Sequence, residues 1–228
     1  MPRAEHISVS GVSVISPLTI NSSSPRASTE VAIAVLSAVA DLGLSKPLSV
    51  VCVGTDRSTG DSLGPLVGTL LRASGFQGTV LGTLDHPVHA ENLAALPINV
   101  LSNGSAILGV DACLGARNEV GSIMVRPGPL RPGLGVRKRL PPIGDLYIAG
   151  VVNVGGFMEY MVLQNTRLAL VMKMAQVIAA GVMRADSLLR SVSRSDSGAT
   201  QGSSDLTLAA PETAALHSLL LEEYDRLR

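Results

Sequence analysis

Residues 51–65 carry an apolar run into a loop, residues 55–62, that holds two carboxylates, one guanidinium and four hydroxyls. A helix pattern follows at once. Structure alone would need a glycine and one capping residue at such a junction. Polar side chains at this density, between a strand and a helix, are the usual make-up of an active-site loop in an α/β protein. Two more expected strand ends carry residues of the same kind. One holds Asp85, His86 and His89; the other holds Asp111, Ala112 and Cys113.

If these strands are parallel neighbours, their carboxyl ends converge on one crevice, with Asp61 facing Asp111 across it. Two facing carboxylates suit hydrolysis. They cannot both ionise easily, so one pKa rises and the other falls. The ionised member can act as base on a water. The protonated member can hydrogen-bond a scissile carbonyl or protonate the leaving group. In this scheme Asp61 and Asp111 are the catalytic pair, Asp56, Arg57 and Thr59 orient the pair or the substrate, and His89 is the auxiliary group. The dyad needs no cofactor. Adding His89 or His86 would let Asp61 and Asp111 bind a divalent metal that activates water, although no tight His/Cys spacing marks such a site.

Each residue also has a plainer role open to it. Asp61 precedes a helix and could be its N-cap. Asp56 could order its loop through an Asx turn, and Arg57 could be a solvated charge or an aspartate's partner. Asp111 follows the buried run 107–110 and could sit in a structural turn. His89 could start a helix, and His86 could be an exposed turn residue. His6 and His217 look incidental. The loop at 55–62 is a poor phosphate cradle. It lacks the Gly-Lys-Ser/Thr ending and the G-x-G-x-x-G spacing, and Asp56 and Asp61 would repel an anion.

The elements that must position these residues alternate. Residues 29–42 read as a helix, with Thr29 as cap and Gly43 as stop. Residues 48–54 form a continuous apolar run, as expected of a strand covered on both faces. Residues 61–73 fit a helix with Pro65 in its first turn, where a missing N–H costs little. Strands are expected at 79–84, 105–113, 121–125 and 145–153. Helices are expected at 89–101, weakened by Pro97, and at 157–189. Residues 126–142, with five prolines and five basic residues, read as a long loop expected to flank the cleft or to hold an autoinhibitory position. An α/β sheet covered on both faces follows.

The 228 residues suffice for one sizeable domain with tails. The expected division is a leader over 1–27 with an edge strand at 8–15, a domain over 28–189, a Ser/Gly-rich disordered linker over 190–210 and a charged amphipathic helix over 211–228. The net charge is zero, and two Phe, three Tyr and no Trp leave no stacking platform for bases, which argues against a nucleic-acid partner. The richest apolar stretch, 168–183, is broken by Lys173 and Gln176, which argues against a membrane span. No basic n-region precedes an apolar segment, so a signal peptide is not expected. Cys52 and Cys113 lie in strand-like runs and read as small core residues in a reducing compartment. A cytoplasmic protein is expected, and the long apolar helix at 157–189 could serve a homo-oligomer.

Four segments resemble one family. They are residues 54–65; Leu84-Asp85 with Pro87-Val88-His89-Ala90 and Asn92-Leu93; Asp111-Ala112-Cys113-Leu114-Gly115; and residues 150–167, GVVNVGGFMEYMVLQNTR. Together they resemble the YyaC-type spore proteases of spore-forming Firmicutes, over residues 29–183. The resemblance implies a fold like that of the germination protease and the hydrogenase-maturation endopeptidases: a three-layer α/β/α sandwich around a mixed, mostly parallel sheet of the phosphorylase/hydrolase kind. It implies catalytic aspartates at Asp61, before the Leu63-Gly64-Pro65 step, and at Asp111, in an Asp-Ala step. Hydrogenase-maturation enzymes add a later histidine as a metal ligand, and no residue here matches it by motif. The implied activity is a sporulation-associated endopeptidase acting on a protein or peptide. The alternatives are a non-catalytic partner-binding scaffold of the same fold and a metal-assisted peptidase.

Overall fold

The structure, a computed structural model, describes residues 7–9, 12–14, 19–44, 46–96, 104–132 and 141–197. Strands β1 (Ile7–Val9) and β2 (Val12–Val14) pair antiparallel as a small separate ladder. The main sheet has six strands: β3 (Ile20–Asn21), β4 (Leu48–Cys52), β5 (Val80–Leu81), β6 (Ala106–Gly115), β7 (Ser122–Pro127) and β8 (Leu146–Val154), in the order β3-β7-β8-β6-β4-β5. β5, β4, β6 and β8 run parallel; β7 is antiparallel to β8 and β3 to β7. The sheet is therefore mixed and mostly parallel, with helices packed on it as expected of an α/β sandwich.

Alternation along the strands divides the core. Leu48, Val50 and Cys52 of β4, Leu108 and Val110 of β6, and Leu146 and Ile148 of β8 face one cluster. That cluster is closed by α1 (Ala27–Asp41), α2 (Leu63–Ala73) and the long α4 (Leu168–Ser197). Val51, Val53 and Ile107 face the opposite way. They pack with Val88, Leu93, Leu130 and Ile143, so this face is covered by a 3-10 turn at Leu93–Ala95 and by the Leu130–Ile143 bridge. Both faces of β4 are buried, as a continuous apolar run requires.

α4 is long and apolar enough to cross a membrane by length and composition. Its apolar face, however, is in the core: Val171, Met174, Ala175, Ile178, Val182 and Leu189 are buried. Asp186 of the same helix accepts a hydrogen bond from the Leu48 N–H at 2.8 Å and pairs with Arg190 at 2.7 Å, tying α4 to the start of β4.

Several expected boundaries move. α1 starts at Ala27, so Thr29 lies inside the helix rather than capping it, and its hydroxyl accepts from Arg184. Gly43, at φ +64°, ends α1 as expected. The 79–84 strand shrinks to Val80–Leu81. The helix expected at 89–101 is only the 3-10 turn Leu93–Ala95 among the described residues, because Asn92 folds the segment into a tight turn. Its Oδ1 accepts from His89 N–H and its Nδ2 donates to Pro87 O.

The helix expected at 157–189 is two helices, α3 (Glu159–Gln164) and α4, broken at Asn165–Arg167. α4 then continues to Ser197, through the start of the expected linker. Ile20 and Asn21, assigned to the leader, form the edge of the main sheet. Residues 133–140 of the long loop and the expected helix at 211–228 lie outside the described residues.

Candidate active site

β4 and β6 are neighbours whose outgoing connections diverge, β4 leading through α2 to β5 and β6 leading the other way to β7 and β8. This is a topological switch point, where open α/β sheets hold their ligands. The loop after β4 is drawn back over it. Val53 N–H donates to Val110 O at 2.7 Å, Gly54 N–H to Val88 O at 2.8 Å, and Thr55 N–H to the Asp61 carbonyl at 3.2 Å. Gly54 has φ +139°, and a Cβ there would overlap that carbonyl. Only glycine permits this closure.

Asp61 lies in a 3-10 turn, Gly60–Ser62, that leads into α2. It is not the helix N-cap. Ser62 holds that position, and its hydroxyl donates back to Thr59 O at 2.7 Å instead of capping. Glycines at three successive helical turns let this segment approach its neighbours: Gly60 packs on Leu163 and Thr166, Gly64 on the Val53 backbone, and Gly68 on the Gly82 backbone.

Asp111 is in the middle of β6 rather than at its end, since β6 runs on to Gly115. β4, however, stops at Cys52, opposite Val110. Asp111 is thus the first β6 residue beyond the end of β4, and it is half-buried. Its Oδ1 accepts from Ala112 N–H at 2.8 Å.

Both carboxyls are perturbed, unequally. Burial lifts Asp61 above the ordinary carboxylate range, while the Thr55 N–H and the charge of His89 oppose the rise. Burial lifts Asp111 well above that range, the Asp61 charge lifts it further, and the Ala112 N–H opposes. Of the pair, Asp61 is the member that ionises first and Asp111 the member that keeps its proton.

The supporting residues divide. His89 is half-buried and close enough for its charge to act on Asp61. Its Nδ1 accepts from Glu91 N–H at 3.3 Å, which fixes the ring's orientation. Asp56 and Arg57 are exposed, and neither contributes to the shift at Asp61 or Asp111. Thr55, not an Asx turn of Asp56, orders their turn by accepting from Arg57 N–H at 3.3 Å. Thr59 is half-buried and serves through its carbonyl. Asp85 and His86 are exposed. Among the described residues no three His, Cys, Asp or Glu side chains group closely enough to hold a metal ion.

Ser58 and Asn153 escape a sequence reading, and Cys113, expected in the core, is half-buried instead. Ser58 is buried in the loop, and its hydroxyl has no partner among the described residues. Asn153, at the end of β8, donates to Val162 O at 3.2 Å and to Thr166 Oγ1 at 3.1 Å, pinning α3 against Gly60. Cys113 lies on the Asp111 face of β6. Burial, Asp111 and then Glu119 push its thiol up to about 11. A polar residue closing an apolar strand is the one signal that could have singled out Asn153. Cys52 is fully buried, as read.

The family model described as "Protein of unknown function (DUF1256)" matches residues 19–181, which include all four segments singled out in the sequence. A Bacillus subtilis (strain 168) protein named "Uncharacterized protein YyaC" is 53% identical over 155 residues, covering 67% of this chain and 76% of that protein. No solved structure matches the chain.

Proposed function

The chain belongs to the DUF1256 family, and we propose that it is a peptide-bond hydrolase, cytoplasmic and active in sporulation, that works with an Asp61/Asp111 dyad. The observation that carries the reading is the placement of the pair: Asp111 is the first β6 residue beyond the end of β4 at the switch point, and the turn that follows β4 brings Asp61 close enough for its charge to raise Asp111. The match of Asp61, before the Leu63-Gly64-Pro65 step, and of Asp111, in an Asp-Ala step, to the aspartates of the germination protease supports the same two residues.

The roles follow from the electrostatics. Burial raises Asp61 less than it raises Asp111, and the Thr55 N–H and then His89 oppose that rise, so Asp61 is assigned as the base. It takes a proton from a water as the water oxygen attacks the scissile carbonyl carbon. Asp111, protonated, hydrogen-bonds the carbonyl oxygen and then gives its proton to the departing amine as the C–N bond breaks. The proton on Asp61 passes back to Asp111 and restores the pair.

The test is cleavage of an unfolded protein or of small acid-soluble spore proteins by wild type, Asp61→Asn and Asp111→Asn, each with and without chelator. Loss of about a thousandfold or more in each variant is expected for removal of an essential acid or base. Equal cleavage by all three would sink the dyad. Activity that chelator abolishes and Zn²⁺ restores would favour the metal-assisted alternative. Persistent inactivity, with a stable partner in pull-downs, would favour a non-catalytic scaffold.

A further inference from the structure

The segment from Gly155 to Thr166 spans from β6, which carries Asp111, to the turn that carries Asp61. At one end Gly155 N–H donates to Gly115 O at 2.9 Å, and Gly155 lies against Leu114, both on the strand that carries Asp111. At the other end Leu163 and Thr166 lie so close on Gly60, the neighbour of Asp61, that a Cβ there would stand 2.8 Å from each. Between these anchors the chain turns through Met158, the one non-glycine residue at positive φ (+52°) among the described residues, and enters α3.

This bridge shows water its apolar side chains. Phe157 is 83% exposed, Tyr160 66%, Met158 53% and Met161 48%. Elsewhere in the described residues only Leu42 and Leu168 are large hydrophobics so exposed. The chain has five aromatic residues, and two of them stand here. Folding gives no reason to expose them, because the neighbouring Leu163 is packed against the core. Rigid aromatics and adaptable methionines are the side chains that bind varied apolar partners at small entropy cost.

We infer that this bridge is a docking platform for an extended, unfolded polypeptide, seating its apolar side chains beside the Asp61/Asp111 crevice. The inference rests on the peptidase reading for what happens next, and on the platform alone for binding. Two observations choose this occupant. The segment that bears the patch is anchored at one end on β6, which carries Asp111, and at the other on Gly60, next to Asp61. Its apolar area is on the order of 500 Å², from about 150–250 Å² for each fully exposed aromatic, well short of the ~800 Å² per partner that a stable dimer needs. That area suits a few side chains of one strand of peptide.

The probe is a fluorescein-labelled peptide of alternating Leu and Ser, compared with the same peptide carrying Ala for each Leu. Binding is measured by anisotropy on the full chain with Asp111→Asn, which prevents cleavage. Seating one or two leucines predicts roughly tenfold tighter binding of the Leu peptide. Phe157→Ser with Tyr160→Ser in that background should erase the preference with an unchanged thermal midpoint, since both side chains are exposed. No preference in the parent, or a preference that survives the double substitution, overturns the platform. So does sedimentation of the parent as a dimer that the double variant breaks, which would give the patch to a second copy. Cleavage is assayed separately on the otherwise native chain. If the parent cleaves nothing but the preference follows Phe157 and Tyr160, the peptidase reading falls and the platform stands. If the double variant cleaves with wild-type KM, the platform falls and the peptidase stands.

Discussion

Asp61 reaches across the switch point to Asp111 electrostatically: after burial, its charge is the largest cause of the rise in the Asp111 pKa. The partnership sets a pH signature for the fold as well as for any chemistry. Unfolded, Asp111 ionises near its ordinary value of 3.8. Folded, it holds its proton to a higher pH. Across that window the native chain binds a proton that the unfolded chain has released, so stability falls as pH rises and is flat above the folded pKa. Each unit of difference corresponds to about 1.4 kcal/mol. Asp111→Asn should therefore be more stable than wild type at neutral pH and gain nothing near pH ~3. Urea unfolding across pH measures this, and parallel curves for the two proteins would refute it.

Gly60 offers a steric test of how the Asp61 turn is held. A Cβ at Gly60 would stand 2.8 Å from Leu163 Cδ2, 2.8 Å from Thr166 Oγ1 and 3.0 Å from the Leu163 carbonyl. The leucine tip can rotate away. The Thr166 hydroxyl is fixed by its bond to Val162 O at 3.0 Å, and the carbonyl is backbone. Gly60→Ala should then cost about 1–3 kcal/mol, as overpacking does, and should speed amide exchange in α3 before the rest of the fold. Wild-type stability with unaltered exchange would show that α3 does not brace the turn.

Asp186 carries a different kind of load. Its carboxylate takes the first N–H of β4 and the Arg190 guanidinium from a buried position. Asp186→Ala strands a buried amide and a half-exposed cation together. The expected loss is about 3 kcal/mol, read as a lower urea midpoint with an unchanged m-value. Asp186→Asn should lose less, because its side-chain oxygen can still accept from Leu48.

These residues also show what could be read in the sequence. The 48–52 run announced a central strand because both of its faces are buried. Asp61 and Asp111 were legible as a pair because strand ends in α/β folds converge. The details of the pairing were not, since register is long-range: nothing local says that β6 outruns β4. The helix break at Asn165–Arg167 was hidden for the same reason. Apolar spacing runs on through Leu163 and Leu168, and the break depends on Asn153, a strand away. Composition misled at 190–197, where serines usually signal a loop. Ser191 and Ser193 instead bond back to the Leu188 and Leu189 carbonyls and ride on the helix. The exposed apolar face of α3 was illegible because the same residues would pattern equally well as core.

Cys113 supplies an independent reporter on the site. It lies two residues beyond Asp111 on the same face of β6, half-exposed, whereas Cys52 is fully buried. Its thiol is pushed up to about 11 by burial first, then by the Asp111 and Glu119 charges. Alkylation requires the thiolate, so wild-type Cys113 should react with iodoacetamide far more slowly at pH ~8.5 than a free thiol. Asp111→Asn removes the second cause and leaves the first. Its rate should rise several-fold, while that of Glu119→Gln rises less. Mass spectrometry of the singly alkylated protein over time gives the rates. The pH dependence adds the decisive point. Asp111 can repel the thiolate only when it is itself ionised, so the rate advantage of Asp111→Asn should shrink as pH falls into the range where wild-type Asp111 holds its proton. An advantage that is constant with pH would mean that Asp111 acts on Cys113 through packing alone.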